Sequence, residues 1–385
     1  MSLEIWYRAG SIHEKPGVTG IAHLFEHMML RPSRFAPKGA LAFERTMGAD
    51  VGAHTRYRTT NYNITFPQEK LDFALNYQAD VMKNLPLNEE MLSKEKEAVR
   101  SEYLIWDNNP MMKLLPELAK RAYSSHIAEN FITGARADLD KISLQDCKDF
   151  YQKYYAPNNA ILVLTGNLNP KDTFHKVEQI FGVIKEGNPS AFPADISNPP
   201  QSVSIEKPVP GSSSPLVLTY SLPFQPLKFP QDSHIKLAFD ILFEGNDSLV
   251  GEKLVHQEKL ASDISYEEQG LGFSFVSISL LKKDSAKALK IVDDIVTNFQ
   301  NLEEKRFFSY AKNTQSNLLR NLQSPAQRAF AIGYYVTHRN GMESLQLDLE
   351  LAKKINLSEL KKTVKNHLKN QNRIAVLGMP NGANR

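Results

Sequence analysis

Two histidines four residues apart with a glutamate between them, His23-Leu24-Phe25-Glu26-His27, constrain this chain more than any other short stretch. The spacing has geometric meaning on an α-helix, where residues four apart share a face. On such a helix His23 and His27 can close on one metal ion. Glu26, three positions after His23, can reach a water on that metal. The surrounding residues Ile21-Ala22 and Met28-Met29-Leu30 are apolar, so the helix should be buried with its polar residues facing an internal cleft. Gly17-Val18-Thr19-Gly20 supplies the preceding turn, with Thr19 as N-cap. A lone histidine is more often a satisfied core residue. With only 10 histidines in 385 residues, two at ligand spacing around a glutamate favour the metal.

The order H-x-x-E-H reverses the H-E-x-x-H of zincins and is the inverzincin signature, which points to zinc peptidase chemistry. Bulk properties exclude several alternatives. A length of 385 residues is long for one domain and gives room for two cores. Net charge is only +3, with no Lys/Arg block, so nothing argues for nucleic acid. Cys147 is the single cysteine, which excludes an internal disulfide and a cysteine zinc site. No apolar run is long enough for a membrane span. There is no signal peptide, and Met1-Ser2-Leu3 leads straight into the strand-like Glu4-Ile5-Trp6-Tyr7-Arg8. The expectation is a boundary with upstream residues removed, a loss that can include an export signal. The compartment stays open between bacterial periplasm and cytoplasm.

Strand and helix alternate through the first half. Ile5–Arg8, Val51–Arg58, Asn61–Phe66 and Ala160–Thr165 read as strands, and Thr19–Leu30, Gly39–Met47, Leu71–Lys83 and Ser143–Tyr155 as helices. Asn88 caps a further helix running through Trp106. The second half repeats the theme more faintly, with strands at Leu216–Tyr220, Gly272–Leu281 and Arg373–Leu377 and helices between them. The expected class is α+β: two similar α/β-sandwich domains related by duplication, each a mixed, largely antiparallel sheet with helices packed on one face. Residues 1–185 form the zinc-binding domain, 186–204 a Pro/Ser/Asn-rich linker, and 205–385 a second domain of the same fold without the metal motif.

Two histidines leave a catalytic zinc one protein ligand short. The helix after Asn88 offers Glu89, Glu90, Glu95, Glu97 and Glu102. Glu95 and Glu102, seven apart, share a face, while Glu89, Glu90 and Glu97 read as a solvated one.

The motif, preceded by Gly10-Ser11 and Gly20-Ile21-Ala22 and followed by Met28-Met29, looks like the pitrilysin/insulysin family of zinc peptidases. Glu95 through Glu102 resembles that family's downstream helix, E-x-x-x-V-x-x-E, and Tyr154-Tyr155-Ala156-Pro157-Asn158-Asn159-Ala160 its helix-to-strand passage. The resemblance implies Glu102 as third zinc ligand and Glu95 as the acceptor that holds a histidine. It also implies a short, two-domain subunit like those of mitochondrial processing peptidase and its bacterial relatives, working as a dimer around an enclosed chamber that favours short or unfolded peptides. Departures are Leu30-Arg31-Pro32-Ser33, where the family has an aromatic and Gly-Thr, and Gly52-Ala53 in place of Asn-Ala. Family members with the full site also carry an Arg and a Tyr seven apart in the second half. Here those positions fall on Val255 and Ser262, with Tyr266 out of register. The implication is a heterodimer whose partner supplies the pair.

The expected chemistry is zinc-dependent peptide hydrolysis, with Glu26 as general base and His23, His27 and Glu102 as ligands. The segment Ala49–Arg56, through Ala49, Val51, Ala53 and Thr55, either holds an extended peptide by strand addition or is an ordinary edge strand. A non-catalytic scaffold subunit and a zinc-dependent peptide-binding module are the alternatives from other classes.

Overall fold

The computed structural model describes residues 1–122, 132–191, 202–209, 217–221, 227–270, 273–281, 284–370 and 373–380. In the first half, strands β1 (Ser2–Tyr7), β2 (Asp50–Thr55), β3 (Thr60–Thr65) and β4 (Ala160–Thr165) alternate with helices. These are α1 (Ile21–Met29), α2 (Ala40–Met47), α3 (Leu71–Asn84), α4 (Glu89–Asp107), α5 (Pro110–Ala122), α6 (Leu144–Tyr154) and α7 (Pro170–Phe181). The second half contributes β5 (Val203–Val209), β6 (Val217–Ser221), β7 (Ala261–Gly270), β8 (Phe273–Leu280) and β9 (Ile374–Pro380). Its longer helices are α8 (Gln231–Phe243), α9 (Ser285–Thr297), α10 (Glu304–Asn321), α11 (Pro325–His338), α12 (Met342–Leu349) and α13 (Leu357–His367). Most of the expected linker, 192–201, lies outside the described residues. Among the described residues no helix is long and apolar enough to cross a membrane.

The fold is of the expected mixed α+β class. The first sheet is antiparallel throughout, in the order β2-β3-β1-β4. The second has the order β5-β9-β6-β8-β7, antiparallel except for the parallel β5–β9 pair. Placing β6 for β1, β7 for β2, β8 for β3 and β9 for β4 turns one order into the other, with β5 added at an edge. The repeat that is faint at the residue level is therefore exact in strand order.

Of the helices named above, α7 and α5 have no counterpart in the sequence reading. In α7 the signals are legible: Asn169 accepts a hydrogen bond from the Lys171 amide at 3.0 Å, and Pro170 opens the helix. In α5 the proline within it, Pro116, hides a helix whose Leu114, Leu115, Leu118 and Ala119 are all buried.

The chain forms two compact units, and their composition departs from the contiguous division at 185 and 205. One unit comprises Met1–Ser101, Asn130–Ala194 and Arg320–Gly341, the other Glu102–Glu129, Asp195–Leu319 and Met342–Arg385. The physical reason is an exchange of helices. The α11 helix packs on β1, β4 and β3 of the first sheet, and α5 packs on β9, β6 and β5 of the second. Each sheet thus has helices on both faces. On β1, Tyr7 meets Tyr62 and Tyr155 on the α1 side, while the adjacent Trp6 meets Phe330 and His338 of α11.

A Cβ added at Gly333 would lie 2.0 Å from Trp6 Nε1, so α11 rests directly on the indole. Gly333→Ala should therefore destabilise by about 1–3 kcal/mol through overpacking, outweighing the ~1 kcal/mol gained in helix propensity. Denaturant unfolding would measure this, and Trp6→Phe in the same background should recover part of the loss. Equal or greater stability of the single variant would contradict so close a contact.

His338 gives a second readout. Desolvation, with Arg56 and Arg58 adding to it, pushes its imidazole from 6.5 down to about 3. The unfolded chain then takes up a proton near 6.5 that the folded chain refuses, so this contribution to stability is complete above that pH and is lost as pH falls toward 3. His338→Gln should flatten the acid side of a Tm-against-pH curve.

Candidate metal centre

Helix α1 carries the motif. Gly20 precedes it at φ 90° in the left-handed region, where a Cβ would lie 2.4 Å from the Thr133 carbonyl oxygen. The expected Thr19 cap is not formed. The Thr19 hydroxyl donates to Asp138 Oδ2 at 2.8 Å and accepts from the Ala135 amide at 2.8 Å. The helix is capped instead by Glu14, whose two carboxyl oxygens accept from the Gly20 and Ala22 amides at 2.9 and 3.0 Å. Burial pushes that carboxyl up to about 8 against the pull of the two amide donors, and Asp138 raises it further.

Beneath α1, Tyr62 donates its hydroxyl to the Phe25 carbonyl at 3.3 Å, and Tyr155 lies 3.3 Å from the same hydroxyl. Burial raises both phenols well above the usual range, with the nearby Glu26 carboxylate adding to the effect, so both stay protonated. The tyrosine pair therefore supports the backbone of the residue preceding Glu26.

Helix α4 brings the second half of the site. Leu92, Glu95, Val99 and Tyr103 form its buried face at helical spacing, while Glu89, Glu90 and Glu97 are exposed. Asn88 accepts from the Met91 amide at 2.9 Å and caps its start. The helix is continuous through Glu102. One ligand atom from each of His23, His27 and Glu102 lies within 4.8 Å of the others, and the two imidazoles meet edge to face at 4.9 Å.

Two neutral-nitrogen donors and one carboxylate form a donor set suited to zinc. A tetrahedral site with bonds of about 2.0–2.1 Å spaces its ligands ~3.4 Å apart, so ligation would draw the three atoms slightly together. Glu95 is only 1 % exposed, and its Oε2 lies 3.6 Å from His27 Nδ1, which leaves Nε2 as the nitrogen available to a metal. Burial would raise the Glu95 carboxyl, but the His27 and Arg31 contacts outweigh it and hold the pKa below the ordinary value. Arg31 donates Nη2 to Glu95 Oε2, and its Nε forms an ion pair with Glu95 Oε1. Arg31, one of the departures from the family pattern, thus secures the carboxylate behind His27.

The four expected peptide-binding positions divide. Ala49 lies outside β2, and its amide donates to the Glu44 carbonyl at 3.2 Å. Val51, Ala53 and Thr55 are on β2, at the edge of the sheet. Arg56 N bonds Thr59 O toward β3, and Val51 N bonds Glu44 Oε1. Antiparallel alternation then turns the backbone groups of Val51, Ala53 and Thr55 away from the sheet. The Val51 amide is already taken by Glu44 at 2.9 Å.

In the second half, Val255 lies in the helical turn Glu252–Gln257 and Ser262 on β7. Tyr266 donates its hydroxyl to Asp240 at 2.6 Å and is committed to its own unit's core.

Comparison with known proteins finds relatives of this chain. Residues 1–136 match the family model for insulinase (peptidase family M16), and residues 141–349 match the model described as the peptidase M16 inactive domain. The chain is 27% identical over 267 residues to the zinc protease PqqE of Helicobacter pylori, covering 68% of this chain and 60% of that one. It is 29% identical over 185 residues to the uncharacterized zinc protease YmxG of Bacillus subtilis, covering 47% and 44%. The matches thus span less than two thirds of these relatives' own lengths. The crystal structure of a protease from Helicobacter pylori superposes with a TM-score of 0.87 at 23% identity, over 98% of this chain and 94% of that one.

If Arg31 and Glu95 hold His27 as the geometry implies, Glu95→Gln should weaken zinc binding about 10–100-fold. Arg31→Ala should weaken it in the same direction. Chelator competition on the purified protein measures this, and unchanged affinity in both variants would dismiss the role.

Proposed function

The chain belongs to the insulinase family of peptidases, M16, and on that premise we propose that it is a zinc metalloendopeptidase acting on peptides or unfolded polypeptides. The observation that carries the reading is the convergence of His23, His27 and Glu102 from two helices, with Glu26 on the same face of α1. Zinc held by these three side chains would supply a Lewis acid and a bound water of pKa about 7. The remaining work falls to the chain itself. Glu26 takes the proton of the attacking water and passes it to the leaving amine. Glu95, fixed by Arg31, keeps the His27 imidazole in one tautomer and orientation. Edge strand β2 offers the outward backbone groups of Ala53 and Thr55 to an extended peptide, giving affinity with little dependence on side chains.

The proposal extends to a partner. Val255 and Ser262 carry neither a guanidinium nor a phenol, and Tyr266 is bonded to Asp240. A second, different subunit supplying an Arg/Tyr pair to the developing oxyanion fits this arrangement. A homo-oligomer of this chain alone with full activity would refute the heterodimer.

Glu26→Gln should retain zinc at wild-type stoichiometry while losing about 10²–10⁴-fold in peptide cleavage. Metal analysis beside a fluorogenic peptide assay reads both quantities. Equal cleavage by the two proteins would remove Glu26 from the role of base.

A further inference from the structure

Strand β2 has two faces, and Val51, Ala53 and Thr55 line one of them. Ala53 pairs with Tyr62, whose ring meets Tyr7 on the α1 side of the sheet. His54 pairs with Asn61, which pairs with Trp6, whose ring meets α11 on the opposite side. Asp50, Gly52 and His54 therefore line the face of β2 turned away from the metal helix, and Arg56, one residue past the strand with its amide bonded to the Thr59 carbonyl, continues that face. The α11 helix covers β1, β4 and β3 there, and Asp50 and His54 are exposed.

The guanidinium of Arg56 lies 5.8 Å from the ring centre of Phe330 and 5.9 Å from that of Tyr334, both on α11. It has no ion pair and no side-chain hydrogen bond among the described residues, and its Nε is buried without an acceptor. Ring contacts of this kind hold the guanidinium plane but leave its N–H fork unused. A half-buried cation with unspent donors is complementary to a carboxylate, which accepts the fork in bidentate fashion. Asp50 stands at the other end of the same face, ~20 Å away along the strand. The face is therefore positive at the Arg56 end and negative at the Asp50 end.

We propose that Arg56 is a specificity residue: it selects peptides that, when laid along β2, present an aspartate or glutamate beside it on the face turned away from the metal. The assignment rests on the peptidase reading and on β2 as the peptide-binding edge. It adds a substrate class to them. Alternate residues of an extended peptide point to opposite faces. The preference therefore applies to every second position of the substrate and is blind to those facing the metal.

The test is binding of labelled, unstructured peptides of equal length to the zinc-loaded Glu26→Gln protein, read by fluorescence anisotropy. The peptides carry Asp, Asn or Lys at one position, which is moved along the sequence. The Asp peptide is expected to bind about tenfold more tightly than the Asn peptide at alternating positions, with the difference shrinking as salt rises. Adding Arg56→Gln should bring the Asp and Asn peptides to equal affinity, and Arg56→Lys should restore part of the preference. Melting temperatures of both variants establish that they fold. Peptides that bind without regard to charge would overturn the assignment to Arg56 and leave the groove standing. A preference that survives Arg56→Gln would do the same. No binding of any peptide would overturn the groove itself, and the selectivity with it.

Discussion

A carboxylate withdrawn almost entirely from water organises the candidate centre. Glu95 is 1 % exposed, and an ionised group in that position is tolerable only when it is paired and hydrogen-bonded. Its partners come from one short stretch, His27 inside α1 and Arg31 just beyond it. Satisfying Glu95 therefore fixes α4 against the end of α1. Because α4 is a continuous helix, fixing Glu95 also sets where Glu102 falls two turns later. The same helix register that answers a solvation problem brings a carboxylate toward the imidazole pair.

The scaffold holds α1 from three other directions. Glu14 caps its first turn, the Tyr62–Tyr155 pair supports the Phe25 carbonyl, and Phe25 packs on Tyr151 and Tyr155. A motif on a helix gains precision when the helix cannot slide or fray, and these contacts remove both freedoms. Opposite, α11 closes the far face of the same sheet through Trp6. A helix from late in the sequence thus completes the core beneath a motif near residue 25, while α5 does the equivalent for the second sheet.

The two sheets share a strand order, yet the H-x-x-E-H motif accompanies only the first. In the second unit a tyrosine hydroxyl is spent on Asp240 and the core is a continuous apolar cluster. Matching of that half to a model described as an inactive domain agrees with the lack of an H-x-x-E-H motif there. One architecture therefore occurs twice, with the histidine pair on α1 beside the first sheet and a continuous apolar core beside the second.

Local periodicity made most elements legible. The strands at 160–165 and the helices beginning near 71 and 89 follow from alternation, apolar spacing and a capping Asn88. The motif itself encodes His23, Glu26 and His27 on one helix because i, i+3 and i+4 spacing is a property of the chain alone. Glu95 and Glu102 could be paired as one face by the same rule. What local pattern could not decide is anything that depends on distant segments meeting. Whether Thr19 or Glu14 caps α1, whether Arg31 faces solvent or Glu95, and which sheet α5 and α11 cover are settled by packing between residues far apart in the chain. A sequence period fixes which side chains share a face. Only the tertiary structure decides what that face is pressed against, because that depends on burying apolar area and on satisfying each charge taken out of water.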